Sequence, residues 1–229
     1  MKTGILYGVS VGPGDPELMT LKAVRTLERC ACVAVPRTAG EKTLALDIAS
    51  GATDLRGKEI LPLEFPMTRD REALRRSHRA AAGLIESRLA AGTDVAMLNL
   101  GDVSVYSTFA YVMELILADG YEVEMIPGVP SFCAVAAVLK TGLTEMNLPL
   151  HIIPASGMPV AEALALPGTK VLMKTGKSMP AVRAALREAG LENKAQLVQN
   201  CGLPNEKVCR APDEAGDDIS YFTTIIVRA

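Results

Sequence analysis

The sequence contains no tryptophan, only two histidines and few aromatic residues of any kind. With two histidines and no C-x-x-C pair among the five cysteines, a zinc site is not expected. An odd number of scattered cysteines is typical of reduced thiols in a cytosolic protein. We therefore predict that the protein holds no metal ion and is cytoplasmic.

An excess of basic residues and a long apolar run are also missing. The formal net charge is −2 at pH 7, whereas a nucleic-acid surface needs a concentration of positive charge. Apolar stretches are interrupted within about a dozen residues, and a membrane-spanning helix needs about 20. Residues 1–7 lack the charged-then-apolar pattern of a secretory leader. We expect neither a nucleic-acid partner nor a membrane span.

The first half of the chain alternates short apolar strands with longer helical segments. The predicted strands cover residues 4–11, 32–35, 59–63 and 94–100, and the predicted helices cover residues 16–32, 44–50, 70–92 and 108–119. This alternation predicts a mainly parallel α/β sheet. Later in the chain, strands and helices mix with α+β character. We predict an N-terminal α/β domain over residues 1–121 and a C-terminal domain over residues 122–229.

A glycine-rich loop at residues 8–15, the first motif, joins a predicted strand to a helix. Its glycines permit positive φ angles and a close approach of the backbone to a ligand or to another segment. The spacing of Gly12 and Gly14 is tighter than in G-x-G-x-x-G, and no acidic residue follows about 20 positions later. The loop is therefore not a dinucleotide site. Taken alone, the loop is as compatible with an ordinary strand-to-helix turn as with a ligand-binding loop.

Two later motifs also follow predicted strands. The second, residues 99–108, lies where open α/β sheets bind ligands, and its hydroxyl groups could hold a polar ligand or cap the next helix. The third, residues 127–134, leads into a helix that begins near Ser131, whose free N–H groups could bind a carboxylate or a hydroxyl. For the third motif alone, helix capping is the simpler interpretation.

A fourth feature is the concentration of arginines at residues 69–79. The ordinary interpretation is a solvated helix face with pairs such as Glu72 with Arg76, four residues apart. In a chain with a net negative charge, the same stretch is a candidate clamp for a polyanionic substrate. Both interpretations remain open at this point.

The order of the motifs along the chain is more specific than any one of them. Together, residues 12–23, 101–109 and 127–132 closely resemble the tetrapyrrole (corrin/porphyrin) methylase family, and the resemblance continues through residues 171–174 to 224–227. Within the family, the second and third motifs are most similar to the members that methylate C20 of precorrin-2 or of cobalt-factor II, its cobalt-containing counterpart.

The resemblance implies two α/β domains with a ligand cleft between them, a mainly parallel sheet in the first and an α+β arrangement in the second. It also implies S-adenosylmethionine as the methyl donor, a small-molecule tetrapyrrole substrate in cobalamin biosynthesis, and a homodimer. Carried over residue by residue, it implies cofactor contacts at Pro13, Leu100, Gly101, Asp102, Val105, Ser131, Phe132, Met173, Lys174 and Ala211.

The sequence departs from the family pattern at four positions. Ser10 and Val103 stand where a glycine and a proline are usual, and Pro130 stands where a threonine is common. Arg37 occupies the position of an aspartate, a proposed base, in the related uroporphyrinogen methylases. That base cannot be carried over to this chain, and no residue identifies itself as the acceptor of the proton that C20 must lose.

A tetrapyrrole substrate carries many carboxylates, which call for cations around it. The candidates are Arg37, Lys42, Arg75 and Arg76, since bidentate arginine suits a carboxylate especially well. Three alternatives stay open: methylation at another position of a related ring, a family relative that acts on a substrate other than a tetrapyrrole, and a nucleotide-binding regulatory module without turnover.

Overall fold

A computed structural model describes residues 2–37, 44–154 and 157–229. The chain divides into two compact units, Met1–Pro130 and Ser131–Ala229, and each contains a five-stranded sheet. Within the described residues, no helix combines the length and the apolar character needed to cross a membrane.

The sheet of the first unit is parallel, with the strand order β3-β2-β4-β1-β5. Its strands are β1 (Ile5–Ser10), β2 (Cys32–Arg37), β3 (Glu59–Glu64), β4 (Val95–Asn99) and β5 (Glu122–Ile126). Its helices are α1 (Leu21–Arg29), α2 (Leu44–Ala52), α3 (Arg71–Ala90) and α4 (Phe109–Ala118). The predicted parallel α/β sheet is confirmed.

Two boundaries differ from the prediction. The helix expected from residue 16 begins at Leu21, because the Thr20 hydroxyl caps it by accepting from the N–H of Ala23 at 3.1 Å. The strand β5 pairs with β1 along its whole length, so it belongs to the first sheet. The first unit therefore ends at Pro130 and not at residue 121, since the pairing of β5 holds it in this sheet.

The sheet of the first unit is covered on both faces. The helices α3 and α4 pack side by side on one face, and α1 and α2 cover the other. Gly8 lies directly against α4, where an added Cβ atom would come within 2.4 Å of the ring of Phe109. Because parallel strands run into their helices at one edge, α3 and α4 both begin at the carboxyl edge of the sheet.

The second unit has a mixed sheet with the order β6-β7-β10-β8-β9, which confirms the predicted α+β character. Its strands are β6 (Leu150–Pro154), β7 (Thr169–Met173), β8 (Ala195–Gln199), β9 (Lys207–Cys209) and β10 (Thr223–Val227). Its helices are α5 (Ser131–Leu139), α6 (Val160–Ala165) and α7 (Met179–Glu188). Only β6 and β7 are parallel among the paired strands of the described residues.

The two faces of the second sheet have different coverings. Leu172, Leu197 and Ile225 pack with α6 and α7 in one apolar core. Side chains alternate along a strand, so Met173, next to Leu172, lies on the opposite face. That face is covered by α5, which contacts both β8 and β10.

Candidate functional site

The three motif loops lie beside one another at the carboxyl edge of the first sheet. The first follows β1, the second follows β4 and the third follows β5, and β1 lies between the other two strands. Residues scattered over more than a hundred positions of sequence are therefore neighbours, because the strands that carry them pair in parallel.

Glycines link the first loop to the second. The N–H of Gly101 donates to the carbonyl of Gly12 at 2.7 Å, and the N–H of Gly12 donates back at 3.2 Å. The φ angles of Gly12 and Gly101 are 76° and 74°, a left-handed conformation that glycine adopts without strain. The two glycines therefore allow the backbones of the two loops to bond directly to each other.

Ser10 joins the same two loops through its side chain. It is fully buried, and its hydroxyl oxygen accepts a hydrogen bond from the N–H of Val103 at 2.8 Å. It also faces the third loop, where a Cβ atom added at Gly128 would lie 2.4 Å from the Cβ of Ser10. The serine that replaces the usual glycine is thus integrated into the packing of all three loops.

Asp102 connects the second loop to the third. One oxygen of its buried carboxylate, Oδ2, accepts from the N–H of Gly128 at 2.8 Å. The other, Oδ1, accepts from the N–H and from the hydroxyl of Ser104. Burial alone would raise the pKa of Asp102, but the hydrogen bonds from Gly128 and Ser104 lower it below its ordinary value. The carboxylate is therefore ionised near neutral pH.

The other predicted contacts of the first unit surround this junction. Pro13 is buried, and Leu100 and Val105 are half-buried. Ser107 caps α4 by accepting from the N–H of Phe109 at 3.0 Å, so the capping interpretation of the second motif is confirmed for this hydroxyl.

Four of the predicted contacts of the second unit lie at the start of α5 and at the end of β7. Ser131 and Phe132 begin α5, and Met173 is half-buried on the sheet face that α5 covers. Lys174 follows with a φ of 58°, and its Nζ lies 6.0 Å from the centroid of the Tyr221 ring. Cofactor contacts at Met173 and at Lys174 both stay predictions.

Ala211 directly precedes the 3₁₀ turn at Pro212–Ala215. It borders a cavity of about 180 Å³ that α7 also lines, with Arg183 and Asp213 among its walls. That cavity is on the side of the second sheet that α7 covers, the side opposite α5. A cofactor contact at Ala211 stays a prediction without support from its position.

The predicted substrate cations have different surroundings. Arg37 forms an ion pair with Glu64, its register partner on β3. Arg76 pairs with Glu72 at 3.5 Å, as the helix spacing predicted. Arg75 is exposed and forms no ion pair within the described ranges, and Lys42 lies outside the described residues.

A parallel α/β sheet with three interlocked loops at its carboxyl edge defines a ligand-binding α/β protein. The chain belongs to the family of Tetrapyrrole (Corrin/Porphyrin) Methylases, whose model matches residues 5–215. It is therefore an S-adenosylmethionine-dependent C-methyltransferase, as the motifs predicted.

Two relatives match nearly the whole chain. The cobalt-precorrin-2 C(20)-methyltransferase of Salmonella typhimurium is 33% identical over 98% of this chain and 96% of its own length. The precorrin-2 C(20)-methyltransferase of a Sinorhizobium species is 30% identical over 98% of this chain and 95% of its own. The solved structure of a cobalt precorrin-4 methyltransferase is 22% identical, with a TM-score of 0.76 over 97% of this chain and 94% of that one. This last likeness confirms the fold class.

Replacing Asp102 with asparagine tests the junction. One acceptor oxygen becomes an N–H₂ group that faces another donor, so we expect the free energy of unfolding at pH 7 to fall by roughly 1–3 kcal/mol. The pKa of Asp102 is lowered in the folded state. Its contribution is therefore present above the unfolded pKa of about 3.9 and is lost as the pH falls through the folded pKa.

Urea unfolding at a series of pH values measures this effect. The difference between the parent protein and Asp102→Asn should shrink below about pH 4. Glu114→Gln, on the exposed surface of α4, is the control and should change stability little at any pH. A difference that stays constant down to pH 3 would contradict the proposed bonding of the carboxylate.

Proposed function

We propose that this methyltransferase acts on C20 of precorrin-2 or of its cobalt-bearing counterpart in cobalamin biosynthesis. The observation that carries the proposal is the similarity, over nearly the full length of each chain, to two C20-methyltransferases. One of them is named for a cobalt substrate and the other is not. The experiment below therefore compares the substrate with cobalt and the substrate without it.

The residues present fit S-adenosylmethionine, which carries an ammonium, a carboxylate and an adenine ring. In the first unit, Asp102 is ionised, and its Oδ2 has a lone pair left for a cationic donor. In the second unit, the half-buried Met173 offers apolar surface suited to a purine, and Phe132 is a buried residue in the first turn of α5. The contacts that we propose are Pro13, Leu100, Gly101, Asp102 and Val105 in the first unit, and Ser131, Phe132 and Met173 in the second.

The bound donor supplies a sulfonium methyl group that is already activated for displacement. The task of the protein is to align the nucleophilic carbon of the ring with that methyl group and to exclude water. Holding two reactants in line can supply roughly 7–11 kcal/mol of the barrier. The fixed loops at the carboxyl edge suit this role, because hydrogen bonds through Gly12, Ser10 and Asp102 hold them in one arrangement.

We also propose that the protein is a homodimer in the cytoplasm. The dimer rests on the family resemblance, in which two chains are the usual state. The five cysteines form no disulfide, which suits a reducing compartment.

Replacing Met173 with alanine tests the contact proposed in the second unit. Loss of this half-buried side chain should weaken binding of S-adenosylmethionine by about ten-fold, or roughly 1.4 kcal/mol, measured by calorimetric titration. Met158→Ala removes another half-buried methionine, which packs with the α7 core, and is the matched control. Equal losses of affinity in the two variants would remove Met173 from the cofactor site.

The function itself is tested with methyl-labelled S-adenosylmethionine and two substrates, precorrin-2 with and without cobalt. We expect one labelled methyl group on C20, located by NMR of the product. Label on another ring carbon would make the chain a methylase of a different position. If neither tetrapyrrole receives label, the proposal is overturned.

A further inference from the structure

A pair of stacked rings lies on the surface of the first unit. The rings of His78 and Tyr111 are 4.8 Å apart at an interplanar angle of 6°, and Tyr111 is 57% exposed. Phe65, a buried core residue, supports the pair with its ring 5.8 Å from that of His78. Because the core holds the stack from below, its outer face is a fixed aromatic surface.

The stack lies near the carboxyl edge of the first sheet. Tyr111 is in the first turn of α4, directly after the second motif, and Phe65 directly follows β3. His78 is two turns into α3, and Glu86 and Asp119 approach each other eight residues further along both helices. The two helices therefore run in parallel, and residues 71–75 extend α3 about 7 Å beyond the start of α4.

Two arginines lie on the same stripe of this extension. Arg71 and Arg75 precede His78 by seven and three residues, so helical geometry places all three on one side of α3. Both arginines are exposed, and neither forms an ion pair within the residues that the structure describes. Arg79, on a different stripe, is already held by Glu86 and Asp119.

The chemistry of this surface has two parts. An exposed aromatic stack attracts another flat conjugated ring, and arginines without acidic partners attract carboxylates. Burial lowers the pKa of His78, so the positive charge beside the stack comes from the arginines. A ligand that combines a flat conjugated surface with peripheral carboxylates matches both parts.

We propose that the His78–Tyr111 stack, flanked by Arg71 and Arg75, receives a carboxylate-bearing edge of the tetrapyrrole substrate. The inference rests on the proposed function for the identity of the ligand. Among the predicted substrate cations, the proposal selects Arg75, which lies beside the rings. Arg37 and Arg76 already have acidic partners.

The test is direct binding, with uroporphyrin, a stable tetrapyrrole polycarboxylate, as a fluorescent probe. The double variant Arg71→Ala with Arg75→Ala should weaken probe binding by about ten-fold or more, and Tyr111→Ala by several-fold. The affinity for S-adenosylmethionine and the melting temperature should stay at the parent values. The matched controls are Arg25→Ala, an exposed arginine on α1, and Leu117→Ala, an exposed residue near the end of α4.

The same variants are then assayed for methyl transfer, where KM for the tetrapyrrole should rise more than kcat falls. Unchanged probe affinity in the double variant and in Tyr111→Ala would overturn the inference. So would an equal loss in the control variants, or a change of subunit association without a change of probe binding. If the parent protein binds the probe through these residues but methylates neither substrate, the proposed function fails and the binding surface stands.

Discussion

The carboxylate of Asp102 holds together loops that come from different strands of the first sheet. It accepts from the N–H of Gly128 on one side and from Ser104 on the other, and it is buried and ionised. The bridge between Gly12 and Gly101 adds the loop after β1. The arrangement of these loops therefore depends on a charge whose hydrogen bonds compensate its burial.

The fold was largely predictable because each parallel strand and its helix carry their own periodicity and turn residues. The predicted boundary after residue 121 was wrong because a short edge strand such as β5 shows its partner only in three dimensions. Local patterning could not place the start of α1 either. The helix signal from residue 16 was real, but a 3₁₀ turn at Pro16–Leu18 and the cap at Thr20 interrupt it.

The three motifs that meet at the carboxyl edge could be named from sequence, but the hydrogen bonds between them could not. Nothing local predicts that Ser10 would accept from Val103, or that its Cβ would exclude a side chain at Gly128. The cations that could bind a substrate are harder to predict, because the sequence of an arginine-rich helix does not show which arginines have acidic partners. The stack of His78 on Tyr111 joins two helices and left no signal in either segment alone.

The claim that three separate motifs form one packed junction is tested most directly by a double-mutant cycle of Ser10→Gly and Gly128→Ala, followed by urea unfolding. Gly128→Ala alone should cost about 1–3 kcal/mol, because its Cβ meets that of Ser10. In the Ser10→Gly background the cost should fall, giving a coupling of roughly 0.5 kcal/mol or more, and the relief is partial because the carbonyl of Gly101 stays close. Additive costs would show that the first and third loops do not share this space, and would contradict the account.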